Sequence, residues 1–292
     1  MLEPWTGETL DEGRPRETLT DILPPWALLG LALGCFLLDQ LLLFVGWNLG
    51  QLLPGLLAAS ILGVGLPVWA TCRQLELRLP AAIGLKRLRP REIAWVVWGV
   101  GSILAPVYAA GALASRYFPP SSEVFRFYEA LIPRGPGAVV VGGIAVTVLG
   151  PLAEEIIFRG LVLGALLRLV PAAAAIGLSA VLFAGSHGST WMLFPIALLG
   201  IVLGLLVWHS GKLTSAWLGH GLFNLVAYVD LCATHDPRAT RLESWSLDPW
   251  VLGVSFASLA IAGWSFFRSP AGRPIATHPH DPGPGHESGP MT

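Results

Sequence analysis

Charge is scarce in this chain. Of its 292 residues only 13% are Asp, Glu, Lys or Arg, about half the share in a soluble domain. So few charges cannot dress a water-facing surface, which excludes an ordinary soluble globule. Those present nearly cancel, leaving a net charge of −1, which argues against a nucleic-acid partner. Cysteine is scarce as well. Cys35, Cys72 and Cys232 lie far apart and no Cys-x-x-Cys pair occurs, which excludes a zinc knuckle and a disulfide framework. The opening segment is not expected to be a secretory leader, because it carries Glu3, Glu8, Asp11, Glu12, Glu17 and Asp21 where a leader starts basic and turns apolar at once. The first apolar run is therefore expected to stay as an anchor. No repeat of solenoid length is visible.

What the chain does have is long apolar runs, and a run of about 18 residues or more reads as a membrane span. Eight are expected, at about 26–46, 52–71, 92–114, 137–166, 171–187, 192–208, 213–232 and 249–267. The fold class is therefore an all-α, polytopic membrane bundle. A polar N-terminal tail (1–25) precedes the transmembrane domain (26–268), and a tail rich in Pro, Gly and His (269–292) follows and is expected to be disordered. Its His278, His280 and His286 read as part of a solvated tail. Trp26, Trp47, Trp95, Trp191, Trp208, Trp250 and Trp264 sit near run ends, as an interfacial aromatic belt does. Gly150-Pro151 falls inside the long fourth span and predicts a kink there. Basic residues in short loops orient the chain. Arg73, Arg78, Lys86, Arg87, Arg89 and Arg91 place the second loop in the cytoplasm, with both termini and the loops holding Arg168 and Lys212. The outward loop 116–135, with three arginines and two glutamates, runs against that pattern.

Several polar groups interrupt the apolar runs. Glu154-Glu155-Ile156-Ile157-Phe158-Arg159 puts two carboxylates and an arginine in the fourth span. Each charge at a lipid-facing helix centre costs about 2.5–3.5 kcal/mol, so these groups must face the bundle interior or a water-filled cavity. Glu155 and Arg159 stand four apart with the acid first, the better order for pairing. Glu154 is rotated about 100° from its neighbour and is left available, as a general base must be. Phe183 to His187 and His220 to Asn224 are also four apart, so each pair shares a helix face. Asp39-Gln40 in the first span has no accompanying motif, and helix–helix hydrogen bonding accounts for it. His209 and His235 lie at span ends, where histidine is easily solvated.

Glu-Glu-x-x-x-Arg, Phe-x-x-x-His and His-x-x-x-Asn, in that order on membrane segments, resemble the CAAX-protease and bacteriocin-processing family, which includes the type II CAAX prenyl endopeptidases. The resemblance covers about 136–232. It implies helices around a water-accessible cavity and peptide-bond hydrolysis without a covalent intermediate. Carried over, Glu154 activates water, and Glu155 and Arg159 support and orient it. His187 holds or polarises that water, and His220 with Asn224 stabilises the oxyanion. The implied substrate is a protein or peptide with a membrane-embedded segment or lipid anchor. The composition, rich in Ala, Gly, Leu, Pro and Arg, places such an enzyme in a bacterial inner membrane. A metal-free glutamate mechanism is expected. A zinc ion on Glu154, His187 and His220 is the other option, although His-Glu-x-x-His is absent. Two other readings stay open: a non-catalytic family member that binds a peptide as an immunity or scaffold protein, and a proton-coupled transporter. Straight helices put His187 roughly 24 Å deep and His220 roughly 10 Å at 1.5 Å rise per residue, so either span five begins earlier, in the aqueous layer, or the helices tilt and kink, as after Pro151.

Overall fold

Prolines open the long helices and left-handed residues close them. Pro25, Pro90, Pro136 and Pro249 each start a helix, where the missing N–H has no partner to lose. Gly211 and His235 stop two others at φ 64° and 53°, the left-handed stop that ends many helices. The computed structural model describes residues 18–237 and 245–268. The long helices are α1 (Pro25–Asn48), α2 (Leu52–Gln74), α3 (Pro90–Tyr117), α4 (Ser122–Leu131) and α5 (Pro136–Leu166), followed by α6 (Ala172–Gly185), α7 (Thr190–Ser210), α8 (Leu213–Thr234) and α9 (Pro249–Arg268). No strand occurs among the described residues.

The protein is an all-α, polytopic membrane bundle. Helices α1, α2, α3, α5 and α7 are long and apolar enough to cross a bilayer, while Ala172–Gly185 and Pro249–Ser265 are shorter apolar segments. Every expected span coincides with a helix, and α4 is an addition from the outward loop. Large side chains such as Leu33, Phe44, Phe194 and Phe256 point outward, as a lipid-facing surface requires. The helices close on one another through small residues, since lipid supplies no hydrophobic drive between them. A Cβ on Gly46 would stand 2.5 Å from Gly55 Cα, and one on Gly200 would stand 3.0 Å from Ala180 Cβ.

One end of the bundle collects the segments that the basic loops assign to a common side. Lys212 Nζ lies 2.6 and 2.7 Å from the Glu92 carboxylate, and Leu213 N donates to Gly84 O at 2.9 Å. Arg168 Nη1 donates to Leu23 O at 2.7 Å and Thr20 O at 3.2 Å. Residues from Thr18 onward, which the sequence places in a polar tail, fold onto this end: Leu19–Ile22 forms one helical turn and Leu19 is buried. The acidic residues Glu3 to Glu17 and the tail histidines His278, His280 and His286 lie outside the described residues.

The kink expected at Gly150-Pro151 takes another form. Helix α5 continues through it, but its ladder widens to π turns at Ala145–Leu149 and again at Ile156–Val162. π turns occur disproportionately at functional sites. Here they bracket the single α-helical stretch Gly150–Glu155, which carries both glutamates.

Candidate active site

Helix α5 points Glu155, at the end of the stretch between its two π turns, and Arg159, within the second of them, into the protein. Both side chains are fully buried, with Arg159 Nη1 at 2.9 Å from Glu155 Oε1. The pairing expected from their spacing is present. Arg159 Nη2 also donates to Gly200 O at 3.2 Å. Its guanidinium lies 4.2 Å over the Phe183 ring, where cation–π attraction replaces part of the lost hydration.

Glu154 emerges on a different side, with its side chain 38% exposed. Its Oε2 faces His220 Nε2 at 3.7 Å, beyond direct hydrogen-bond range. The opposite ring nitrogen of His220, Nδ1, lies 2.8 Å from Glu155 Oε1. His220 is therefore buried between two carboxylates, one already neutralised by Arg159 and one free. Three polar atoms here have no partner within the protein: Glu154 Oε2, Glu155 Oε2 and Arg159 Nε. Buried polar atoms are otherwise nearly always satisfied, so this cluster is built to hold something polar.

His187 sits just past the end of α6, beyond the cap residue Ser186. Its Nδ1 lies 2.9 Å from Phe183 O. A carbonyl only accepts, so Nδ1 carries the proton and Nε2 of the neutral ring is a free acceptor. Phe183 links the two histidines, with its ring 5.1 Å from that of His187 and 5.5 Å from that of His220. The two histidines that straight helices put at different depths thus pack against one aromatic ring.

Asn224 has a position that Pro151 explains. Gly150 N–H bonds to Ala145 O in the π register. The next donor in that register is the Pro151 nitrogen, which has no hydrogen. Val146 O is left over, and Asn224 Nδ2 donates to it at 3.0 Å, using one of its two hydrogens. Trp217 Nε1 donates to Val148 O at 2.9 Å and Tyr228 Oη to Val139 O at 3.1 Å. A Cβ on Gly221 would stand 2.5 Å from Thr147 O, so only glycine lets α8 lie this close to α5. These contacts fix His220 against the glutamates.

The sequence assigns Asp39 to helix–helix hydrogen bonding, whereas the hydrogen bond it makes is within its own helix. Its carboxylate accepts from the adjacent Gln40 Nε2 at 3.1 Å and stands within electrostatic reach of Glu154, and the bare Gly63 of α2 presses against the Asp39 backbone. The role of Phe183 as hub was also missed, although an aromatic one turn before a membrane histidine was a visible signal. His209 and His235 lie away from this cluster, at the ends of α7 and α8. Among the described residues no three His, Cys, Asp or Glu side chains come close enough to share a metal ion. Glu154, His187 and His220, as placed, do not form a ligand set.

Residues 136–226 match the family described as type II CAAX prenyl endopeptidase Rce1-like. About a third of the chain is therefore an Rce1-like domain, of the CAAX-protease family that the motifs resemble, and it holds Glu154, Glu155, Arg159, His187, His220 and Asn224. In kind this is a CAAX-type intramembrane endopeptidase domain. No curated protein and no solved structure matches the chain.

Proposed function

We propose that this protein is a metal-free glutamate endopeptidase that hydrolyses a peptide bond near the membrane-embedded or lipid-anchored end of a protein or peptide, in a bacterial inner membrane with both termini cytoplasmic. The observation that carries this is the pair of adjacent carboxylates with opposite surroundings. Glu155 is neutralised by Arg159 at 2.9 Å, while Glu154 is part exposed and has no hydrogen-bond partner for Oε2.

In the proposed reaction Glu154 takes a proton from water as the water oxygen attacks the scissile carbonyl. His187 Nε2 accepts a hydrogen bond from the water's other hydrogen and orients it. The oxyanion that forms takes hydrogen bonds from His220 Nε2 and from the second hydrogen of Asn224 Nδ2. Donation from His220 needs a proton on both ring nitrogens, and the flanking carboxylates compensate that charge. Glu154 then returns its proton to the leaving amine as the carbon–nitrogen bond breaks. Donors set in advance toward developing charge are worth about 2.7–4 kcal/mol of barrier each.

The test is cleavage of a fluorogenic peptide library by purified protein, with and without a chelator. Wild type should cleave, the chelator should change nothing, and His187→Ala should lose about 10²-fold or more. Chelator-sensitive cleavage would replace the glutamate mechanism with a metal one. No cleavage by folded wild type would leave a peptide-binding protein in its place.

A further inference from the structure

The largest groove among the best-formed ones does not touch the catalytic cluster. It has a volume of about 870 Å³ and lies where the start of α3 meets α5 and α8. None of Glu154, Glu155, His187 and His220 lines it. Its floor is apolar, built from Ile93, Val148, Leu222 and Leu225. The polar backbone of that floor is occupied, since Val148 O already accepts from Trp217 Nε1. From Thr214 to Leu225 the lining follows α8 for roughly 16 Å at 1.5 Å rise per residue, about half the hydrocarbon thickness of a bilayer.

Only the mouth is polar. Arg87 and Arg89 stand there, both exposed. Arg89 Nε lies 3.6 Å from Glu92, but the Glu92 carboxylate is already held by Lys212 Nζ at 2.6 Å. Arg87 has no carboxylate partner among the described residues. Thr214 also lines the groove, and its buried Oγ1 has no hydrogen-bond partner. It stands in the first turn of α8, where backbone N–H groups and the helix dipole favour an anion. The surrounding loop adds exposed Arg73, Arg78, Lys86 and Arg91, the composition that draws anionic lipid to a membrane surface.

The geometry points to a binding site for one anionic phospholipid, with its phosphodiester on Arg87, Arg89 and Thr214 and an acyl chain along α8 in a single leaflet. The apolar floor has the depth of one leaflet, and the basic side chains at its mouth sit at headgroup level. A zwitterionic lipid brings no net charge to those donors. The site is independent of the peptidase chemistry, and Glu154→Gln should bind the lipid as wild type does.

Trp217 lines the groove and serves as the reporter. The protein is reconstituted in phosphatidylcholine vesicles doped with brominated phosphatidylglycerol or brominated phosphatidylcholine. The Trp217 signal is the fluorescence difference between wild type and Trp217→Phe. Brominated phosphatidylglycerol should quench it with a preference of the order of fivefold or more over brominated phosphatidylcholine. Arg87→Gln/Arg89→Gln should abolish that preference, while Arg73→Gln/Arg78→Gln, equally basic but outside the groove, should retain it. Equal quenching by the two lipids in wild type would overturn the proposal. So would a preference that survives Arg87→Gln/Arg89→Gln, or one that both double variants erase, which would mean diffuse surface charge. Protection of Trp217 by a cleavable peptide, without lipid preference, would assign the groove to substrate and overturn it as well.

Discussion

Glutamine at position 154 is expected to lower peptide cleavage by about 10²- to 10⁴-fold, the usual range for losing a general base, and to leave the melting temperature where it was. Glutamine keeps the shape of the side chain and removes its ability to take a proton. The structure explains why the fold should tolerate the change. Glu154 makes no hydrogen bond through Oε2, its side chain is 38% exposed, and its nearest charged neighbour on α8 is His220 at 3.7 Å. Activity measured beside thermal unfolding in the same detergent separates the two effects. Equal loss of activity and of melting temperature would make Glu154 a structural residue.

Arg159→Ala should do the reverse and damage the fold first. Arg159 and Glu155 are fully buried and bound to each other at 2.9 Å, and His220 leans on the same Glu155 oxygen at 2.8 Å. Removing one partner strands a buried carboxylate, which typically costs about 3–5 kcal/mol. In a domain of this size that is a fall in Tm of the order of 10 °C. The guanidinium also fills space over Phe183 at 4.2 Å, so truncation opens a void beside the two histidines. Glu155→Gln/Arg159→Met removes both charges together and should recover much of the stability, because no ion is then left unpaired. It should not recover activity, since His220 loses the carboxylate that orients it. A double variant no more stable than Arg159→Ala would mean that packing, rather than the stranded charge, sets the cost.

The parts of this site that follow from spacing along one helix were legible in the sequence. The Glu155–Arg159 pair is one, because residues four apart meet on any helix. The freedom of Glu154 is another. Contacts between helices were not legible, because they depend on where glycine permits close approach. Asp39 of α1 stands within electrostatic reach of Glu154 of α5, an approach that spacing along neither helix shows. His187 and His220 both pack against the Phe183 ring, a junction of α6 with α8 that spacing along one helix does not show. The π turns were invisible for a different reason. A 3.6-residue period is assumed in any reading of helical faces, and an inserted residue leaves no mark in composition. Pro151 announced a disturbance. That Val146 O would be left over, and that Asn224 would supply its donor, could be seen only with α8 in place.

The most direct test of the central claim, that the glutamates and histidines of α5, α6 and α8 act on one water as a unit, is a kinetic double-mutant cycle. Cleavage rates are measured for wild type, Glu154→Gln, His187→Ala and the combined variant on a single peptide. Groups that act together lose their effect together, so the combined variant should be barely slower than the worse single one. Losses that multiply would show two residues working independently, and a single shared hydrolytic site would be contradicted.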